Sequence, residues 1–276
     1  MHPSPRWRAA LPVFRPLGVF FVWNLATWGV ILGLVLAGHA LAGLAAAAVL
    51  FAVYLRVYLL RVGRPGELRR WATLRLRPLG RDAAVGTLAA VPVLLALAWS
   101  LGEVWTRLVP VPPESFRPFD ELTDTAEGRL AVVLFAVVAA PLVEEFVFRG
   151  LVQRPLERRW GPAPAIGFTA LLFALVHALP WVLPMHLLLG VAFGFVVYAT
   201  RSVWAGVLLH AANNSFAALG IAAEAPELPA TVWRTGFTAD FWIALAVLVL
   251  ASVVARGLAG RLLRIGHGRR PEAAAR

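Results

Sequence analysis

Three short stretches carry side chains that could do chemistry together. "EEFVFR" places Glu144, Glu145 and Arg149 directly after Leu130 to Val143, a run without a single charge. "FALVH" ends on His177, and "HAANNS" brings His210, Asn213 and Asn214. A carboxylate and an imidazole can orient a water and take its proton. A second imidazole and a carboxamide can donate hydrogen bonds to an oxyanion. Together the set has what amide hydrolysis needs.

Helical spacing divides the labour. Glu145 and Arg149 are i,i+4 neighbours with the acid N-terminal, the favourable order for an ion pair. Glu144 points about 100° away around the axis, so it has no cation on its own helix and must find company elsewhere. A structural ion pair near the membrane interface accounts for one glutamate but not for two. His210 and Asn214 share one face, with Asn213 close by. Taken singly, His177 reads as readily as a helix–helix hydrogen bond, and the asparagines as inter-helix glue. His186, beside Pro184, reads as interfacial. Asn24 and Arg56 match no partner motif.

These residues lie in a chain built for a membrane. Of 276 residues, 60% are hydrophobic and 15% charged, against about a quarter charged in soluble domains. Ionised groups inside such segments are costly and usually functional. Eight apolar segments can be drawn, at 17–38, 40–60, 83–101, 130–149, 164–183, 185–200, 203–222 and 240–256, each near the length that spans a bilayer. The first is too long for a signal peptide and lacks a clear cleavage site, so it reads as a retained span. The fold class expected is all-α, a polytopic bundle of about eight transmembrane helices. It divides into N-terminal spans with a basic loop (1–129), a core (130–222), and a last span with a basic tail (223–276).

All 26 basic residues are arginine, and the net charge is +11. Nucleic-acid binding is not needed to explain that charge, because arginine marks cytoplasmic loops. Seven arginines follow the second segment and six lie between Arg256 and Arg276. The connections after the third and seventh segments are acidic instead. Eight spans with both termini cytoplasmic put every arginine-rich stretch on one side, in what reads as a bacterial plasma membrane. "RRWATLRLR", Arg69 to Arg77, fits an amphipathic surface helix or a solvated basic loop. There is no cysteine, which excludes disulfides, thiolate catalysis and cysteine metal sites.

By these segment bounds Glu144 lies about five residues and His210 about seven residues from a cytoplasmic helix end, or about 8–10 Å deep; His177 comes out deeper, at about 20 Å.

In order and spacing the three stretches resemble the CAAX protease and bacteriocin-processing enzyme family, which includes the type II CAAX prenyl endopeptidases. The family pattern is Glu-Glu-x-x-x-Arg, then Phe-x-x-x-His, then His-x-x-x-Asn on membrane helices. The resemblance covers about residues 130–220. It implies intramembrane peptide hydrolysis, with Glu144 activating water beside His177 and with His210 and Asn214 as oxyanion donors. Glu145 and Arg149 would be the supporting pair. It implies as substrate a prenylated CAAX-type or other membrane-associated peptide, or a lipidated protein. Were a zinc ion used, Glu144, His177 and His210 would be its ligands; no His-Glu-x-x-His motif is present, and a metal-free reaction is favoured. No Gly-x-Ser-x-Gly marks a serine enzyme, and the four aspartates lie at segment ends or in loops. A proton-coupled transporter and a non-catalytic immunity or scaffold protein are the alternatives.

Overall fold

The computed structural model describes residues 37–62, 74–112, 115, 123–177, 179–222 and 231–267, with isolated positions between 18 and 34. Among them helix is the only extended regular structure, as hydrocarbon requires of a backbone that must satisfy its own polar groups. The helices are α1 (Ala40–Val62), α2 (Arg81–Leu108), α3 (Ala126–Trp160), α4 (Pro162–Val176), α5 (Leu183–Thr200), α6 (Val203–Ala222), the single turn α7 (Val232–Thr235) and α8 (Ala239–His267). Among the described residues four helices are long and apolar enough to cross a membrane: α2, α3, α5 with the turn before it, and α8. Shorter apolar helices lie at Leu41–Tyr54 and Pro162–Val176. The protein is an all-α membrane protein.

Seven of the eight apolar segments coincide with helices, with shifted ends. The segment 17–38, with Asn24, falls largely outside the described residues. α3 overruns the expected end at 149 by eleven residues, because "LVQRPLERRW" keeps helical geometry through its charges. α4 stops at Val176 rather than 183. Pro180 and Pro184 lie just beyond, and a proline lacks the N–H that would prolong the helix. Between α3 and α4 the chain reverses at Gly161, whose φ of +81° suits glycine.

Of the basic stretch Arg69–Arg77, positions 69–73 lie outside the described residues. Leu74 to Arg77 is neither a surface helix nor a solvated loop: it is an irregular turn with Leu74 and Arg75 buried. The Arg75 guanidinium makes a two-pronged pair with Glu157 of α3, at 2.9 and 2.6 Å. Its carbonyl accepts from Val203 N at 2.8 Å. Burial pulls the Arg75 guanidinium below its ordinary range, and the Glu157 carboxylate opposes that shift. Gln153 donates to Glu157 and to the Gly194 carbonyl. The turn is thereby tied across the ends of α3, α5 and α6.

α3 is not a uniform α-helix. Phe135–Ala139 and Phe146–Gln153 are wide π turns, and both glutamates sit on the α-helical piece between them. Each π turn ends two residues before a proline, Pro141 or Pro155. A proline ring crowds the carbonyl four residues back and offers no N–H, and both effects favour opening the turn.

Candidate active site

Glu145 and Arg149 are fully buried. As their spacing predicts, they pair, with Arg149 Nε 3.2 Å from Glu145 Oε2. The guanidinium also donates to the Gly190 carbonyl at 3.2 Å and lies over Phe173, 4.9 Å from the ring centre. Phe148 and Phe193 flank it. A buried cation is tolerable only with such company. The other Glu145 oxygen, Oε1, lies 3.2 Å from Nδ1 of His210. Helical spacing within one segment could not reveal this partner, which comes from α6.

Glycines make the room. A Cβ on Gly206 would stand 2.5 Å from Glu145 Oε2 and 2.7 Å from the Val197 side chain. A Cβ on Gly190 would stand 2.8 Å from the Ala170 backbone, so "GVAFG" lets α4 and α5 approach closely and leaves the Gly190 and Gly194 carbonyls open to Arg149 and Gln153. The G-x-x-x-G spacing is the signal in the sequence that could have found this contact.

Glu144 is set apart from the pair. Its Oε2 is buried and makes no hydrogen bond among the described residues. It lies within electrostatic reach of His210, Arg149 and His186. α3 continues sixteen residues beyond Glu144, not five, which lifts the apparent mismatch in depth with His177.

His177 closes α4, its Nδ1 2.7 Å from the Phe173 carbonyl. His186 is not a partnerless interfacial residue. Its ring centre lies 3.9 Å from that of His177, and its Nδ1 is 3.1 Å from the Val182 carbonyl. The α4–α5 hairpin brings the two together, and the kinked Pro180–Pro184 connection that shortens α4 sets their spacing. Phe173 is the hub, with ring contacts to His177, His186 and His210. His210 also stacks on Phe193 at 4.5 Å.

All three imidazoles present the same nitrogen to an acceptor. Carbonyl and carboxylate oxygens only accept, so Nδ1 carries the hydrogen in each ring. In the neutral form every Nε2 therefore bears a lone pair.

Asn214 has a partner that was not expected: its Nδ2 donates to the Ala136 carbonyl at 2.7 Å. In the first π turn Ala140 N bonds Phe135 O, and residue 141 is proline. The Ala136 carbonyl is thereby left without its usual i+4 or i+5 donor, and the asparagine supplies one. Asn213 Nδ2 donates to Asn214 Oδ1 at 3.2 Å, which fixes the amide's orientation and leaves its second N–H unassigned. Among the described residues no three histidine and acidic side chains are arranged to hold a metal ion.

The structure thus brings Glu144, Glu145, Arg149, His177, His210 and Asn214 to one region and adds His186. No curated protein matches the chain, and no solved structure does. Residues 126–216, which contain every one of these side chains, match the type II CAAX prenyl endopeptidase Rce1-like family. Through that core the chain is similar to the CAAX protease family.

Proposed function

We propose that the protein is an intramembrane endopeptidase that hydrolyses a peptide bond of a membrane-associated substrate with water activated by Glu144. The observation that carries this reading is the buried Glu144 oxygen that has no hydrogen-bond partner among the described residues and lies within electrostatic reach of His210 and His186. A carboxylate in that setting is poised to take a proton.

The charges support the assignment. Glu144 and Glu145 bring two negative charges, and Arg149 one positive. One further proton makes the buried cluster neutral, and it can reside on His210 or on Glu144. With the proton on His210, the ring is a donor at both nitrogens. Nδ1–H faces Glu145, and Nε2–H faces the reacting carbonyl. Glu144 is then an ionised base. Water adds to the carbonyl carbon as Glu144 takes its proton, with His177 Nε2 accepting from the same water. Negative charge builds on the carbonyl oxygen, where His210 Nε2–H and the second Asn214 N–H can donate. The proton held by Glu144 passes to the departing amine as the C–N bond breaks, leaving a carboxylate and an amine. Every step uses side chains of this chain, and no metal ion is required.

The test compares membrane peptides of cells producing the native protein with those producing Glu144→Gln at equal level. New peptide termini should appear only with the native protein. Identical peptide sets from both would sink the reading.

A further inference from the structure

α2 and α8 are pinned together at both ends. At one end Leu262 sits directly on Gly86, where an added Cβ would stand 2.8 Å from Leu262 Cδ2. At the other, Val104, Phe241 and Ala244 are buried in one cluster, and Arg107 pairs with Asp240 at 3.8 Å. α8 also rests on α5, with Gly266 against the Ala199 carbonyl. Between these contacts the facing positions are small: Ala90 on α2, Ala192 on α5, Ala255 and Ala259 on α8. Their methyl groups do not reach across, and a crevice of about 280 Å³ is left between the three helices. Leu94, Val196, Leu209 and Leu262 form its buried floor. Val191 and Arg256 on its walls are exposed, so it opens sideways. α5 separates it from the candidate active site: Ala192 and Phe195 line the crevice, whereas Phe193 stacks on His210. From Ala90 to Leu97 on α2, and from Ala255 to Leu262 on α8, it runs about 10 Å along the helices. That is most of the hydrocarbon depth of one leaflet, about 15 Å, and it suits a length of acyl chain.

Arg256 is the one polar side chain among the residues that line the crevice. Arg256, Gly260 and Arg264 occupy successive turns of one face of α8. A Cβ on Gly260 would lie 3.6 Å from Arg264 Nη1, so the Arg264 side chain folds back over Gly260 towards Arg256. A Cβ on Gly257 would meet nothing within 4 Å, which leaves room beside the helix. Both arginines are exposed, and among the described residues neither has an acidic partner. Two like charges thus flank uncovered backbone where the apolar crevice ends. An anion between them relieves their repulsion and accepts hydrogen bonds from both guanidiniums. Water alone would satisfy an isolated surface arginine. The crevice that starts at Arg256 is what asks for an anion with an apolar chain attached.

We propose that the crevice binds an anionic phospholipid, with one acyl chain between α2, α5 and α8 and the phosphate on Arg256 and Arg264. Arginine-rich ends face the cytoplasm, so the lipid belongs to the inner leaflet, where anionic headgroups are drawn to clustered arginines. A choline headgroup would set a third positive charge beside the two guanidiniums; a glycerol headgroup adds none. The site stands on the geometry of α2, α5 and α8 and does not depend on the endopeptidase reading.

Native mass spectrometry of the purified full-length protein tests this, with phosphatidylglycerol or phosphatidylcholine of the same acyl chains titrated into the detergent solution. One phosphatidylglycerol should bind per chain, more tightly than phosphatidylcholine. Arg256→Gln and Arg264→Gln should each weaken it about tenfold, the loss expected for one charge-assisted hydrogen bond. Ala259→Leu, which fills the crevice without changing charge, should weaken it as well. Arg159→Gln, the same change of charge at the exposed end of α3, should bind as the native protein does. Equal binding of the two lipids, or equal loss in Arg159→Gln and Arg256→Gln, would leave only general attraction between basic protein and anionic lipid and would overturn the proposal. Native binding by Ala259→Leu would do the same, because the acyl chain would then lie elsewhere. Displacement of the lipid by a farnesylated cysteine methyl ester would give the crevice to an isoprenoid, and a dimer that Ala259→Leu dissolves would give it to a second copy of the chain; either result also overturns the proposal.

Discussion

Glu145 holds two partners at once: Oε2 faces Arg149 Nε and Oε1 faces His210 Nδ1, each at 3.2 Å. The neighbouring Glu144 makes neither contact. Adjacent residues on a helix point about 100° apart, and α6 passes on the side of Glu145. One carboxylate is held between Arg149 and His210, and the other has an oxygen without a hydrogen-bond partner among the described residues.

Replacing each by glutamine should separate the two roles. Glu144→Gln keeps shape but removes the base; cleavage should fall by about 10²–10⁴-fold, with thermal stability near native. Glu145→Gln leaves Arg149 buried without its counter-ion, a loss of about 3–5 kcal/mol, seen as a lower melting temperature and lower yield. Combining it with Arg149→Gln should cost less than the sum of the two. A stable but inactive Glu145→Gln beside an active Glu144→Gln would mean the roles are reversed.

Gly206→Ala tests the fit around Glu145 without touching a polar group. The added methyl would stand 2.5 Å from Glu145 Oε2 and 2.7 Å from Val197, so the oxygen that faces Arg149 must move. Cleavage should fall at least tenfold, and stability by about 1–3 kcal/mol as in overpacked cores. Gly167→Ala on α4, where a Cβ meets nothing within 4 Å, is the control and should behave as native. Equal behaviour of the two would remove the steric argument.

How much of this was legible in the chain follows from what spacing encodes. The Glu145–Arg149 pair is local to one helix, and i,i+4 spacing predicts it directly. The His210–Glu145 contact joins residues 65 apart, and periodicity says nothing about which face of α6 meets which face of α3. His186 stands next to Pro184 and matches no motif, so spacing gives it no role. The same prolines create the turn that swings it onto His177. Arg75 looked like one of many surface arginines, because charge counting cannot tell a buried, paired guanidinium from a solvated one. The π turns had a signal, Pro141 and Pro155 inside an otherwise helical run, which reads as easily as a helix end.

The His186 ring offers a measurable consequence. If it supports His177 through its Nε2, His186→Phe keeps the stacking area but removes the nitrogens. Activity should drop, by less than the roughly 10²-fold minimum expected for losing the base itself, and chiefly in kcat. Melting temperature should hold, since an aromatic ring replaces an aromatic ring. Unchanged kcat in a stable His186→Phe protein would reduce His186 to packing.

A metal-free reaction predicts that dialysis against a strong chelator leaves the rate of peptide cleavage unchanged, and that the purified protein carries zinc at far below one equivalent. Activity lost to the chelator and restored by zinc, with one ion per chain, would require Glu144, His177 and His210 to converge in a way they do not in this structure.

Pro141 and Asn214 are coupled through a single oxygen, the Ala136 carbonyl. Asn214 Nδ2 bonds it at 2.7 Å because Pro141 cannot. Asn214→Leu should therefore leave a half-buried carbonyl without a donor, at about 1 kcal/mol, and, on the mechanism proposed above, also remove an oxyanion donor. Pro141→Ala returns a backbone N–H that can reach Ala136 O and lets the first π turn tighten. In that background Asn214→Leu should cost distinctly less stability, while its effect on cleavage should persist, because the oxyanion role is independent of the carbonyl. A double-mutant cycle on melting temperature and on rate measures both. Additive stabilities would mean the asparagine does not replace the missing proline hydrogen bond. Recovery of activity together with stability would mean its part in cleavage is only to hold α3 and α6 together.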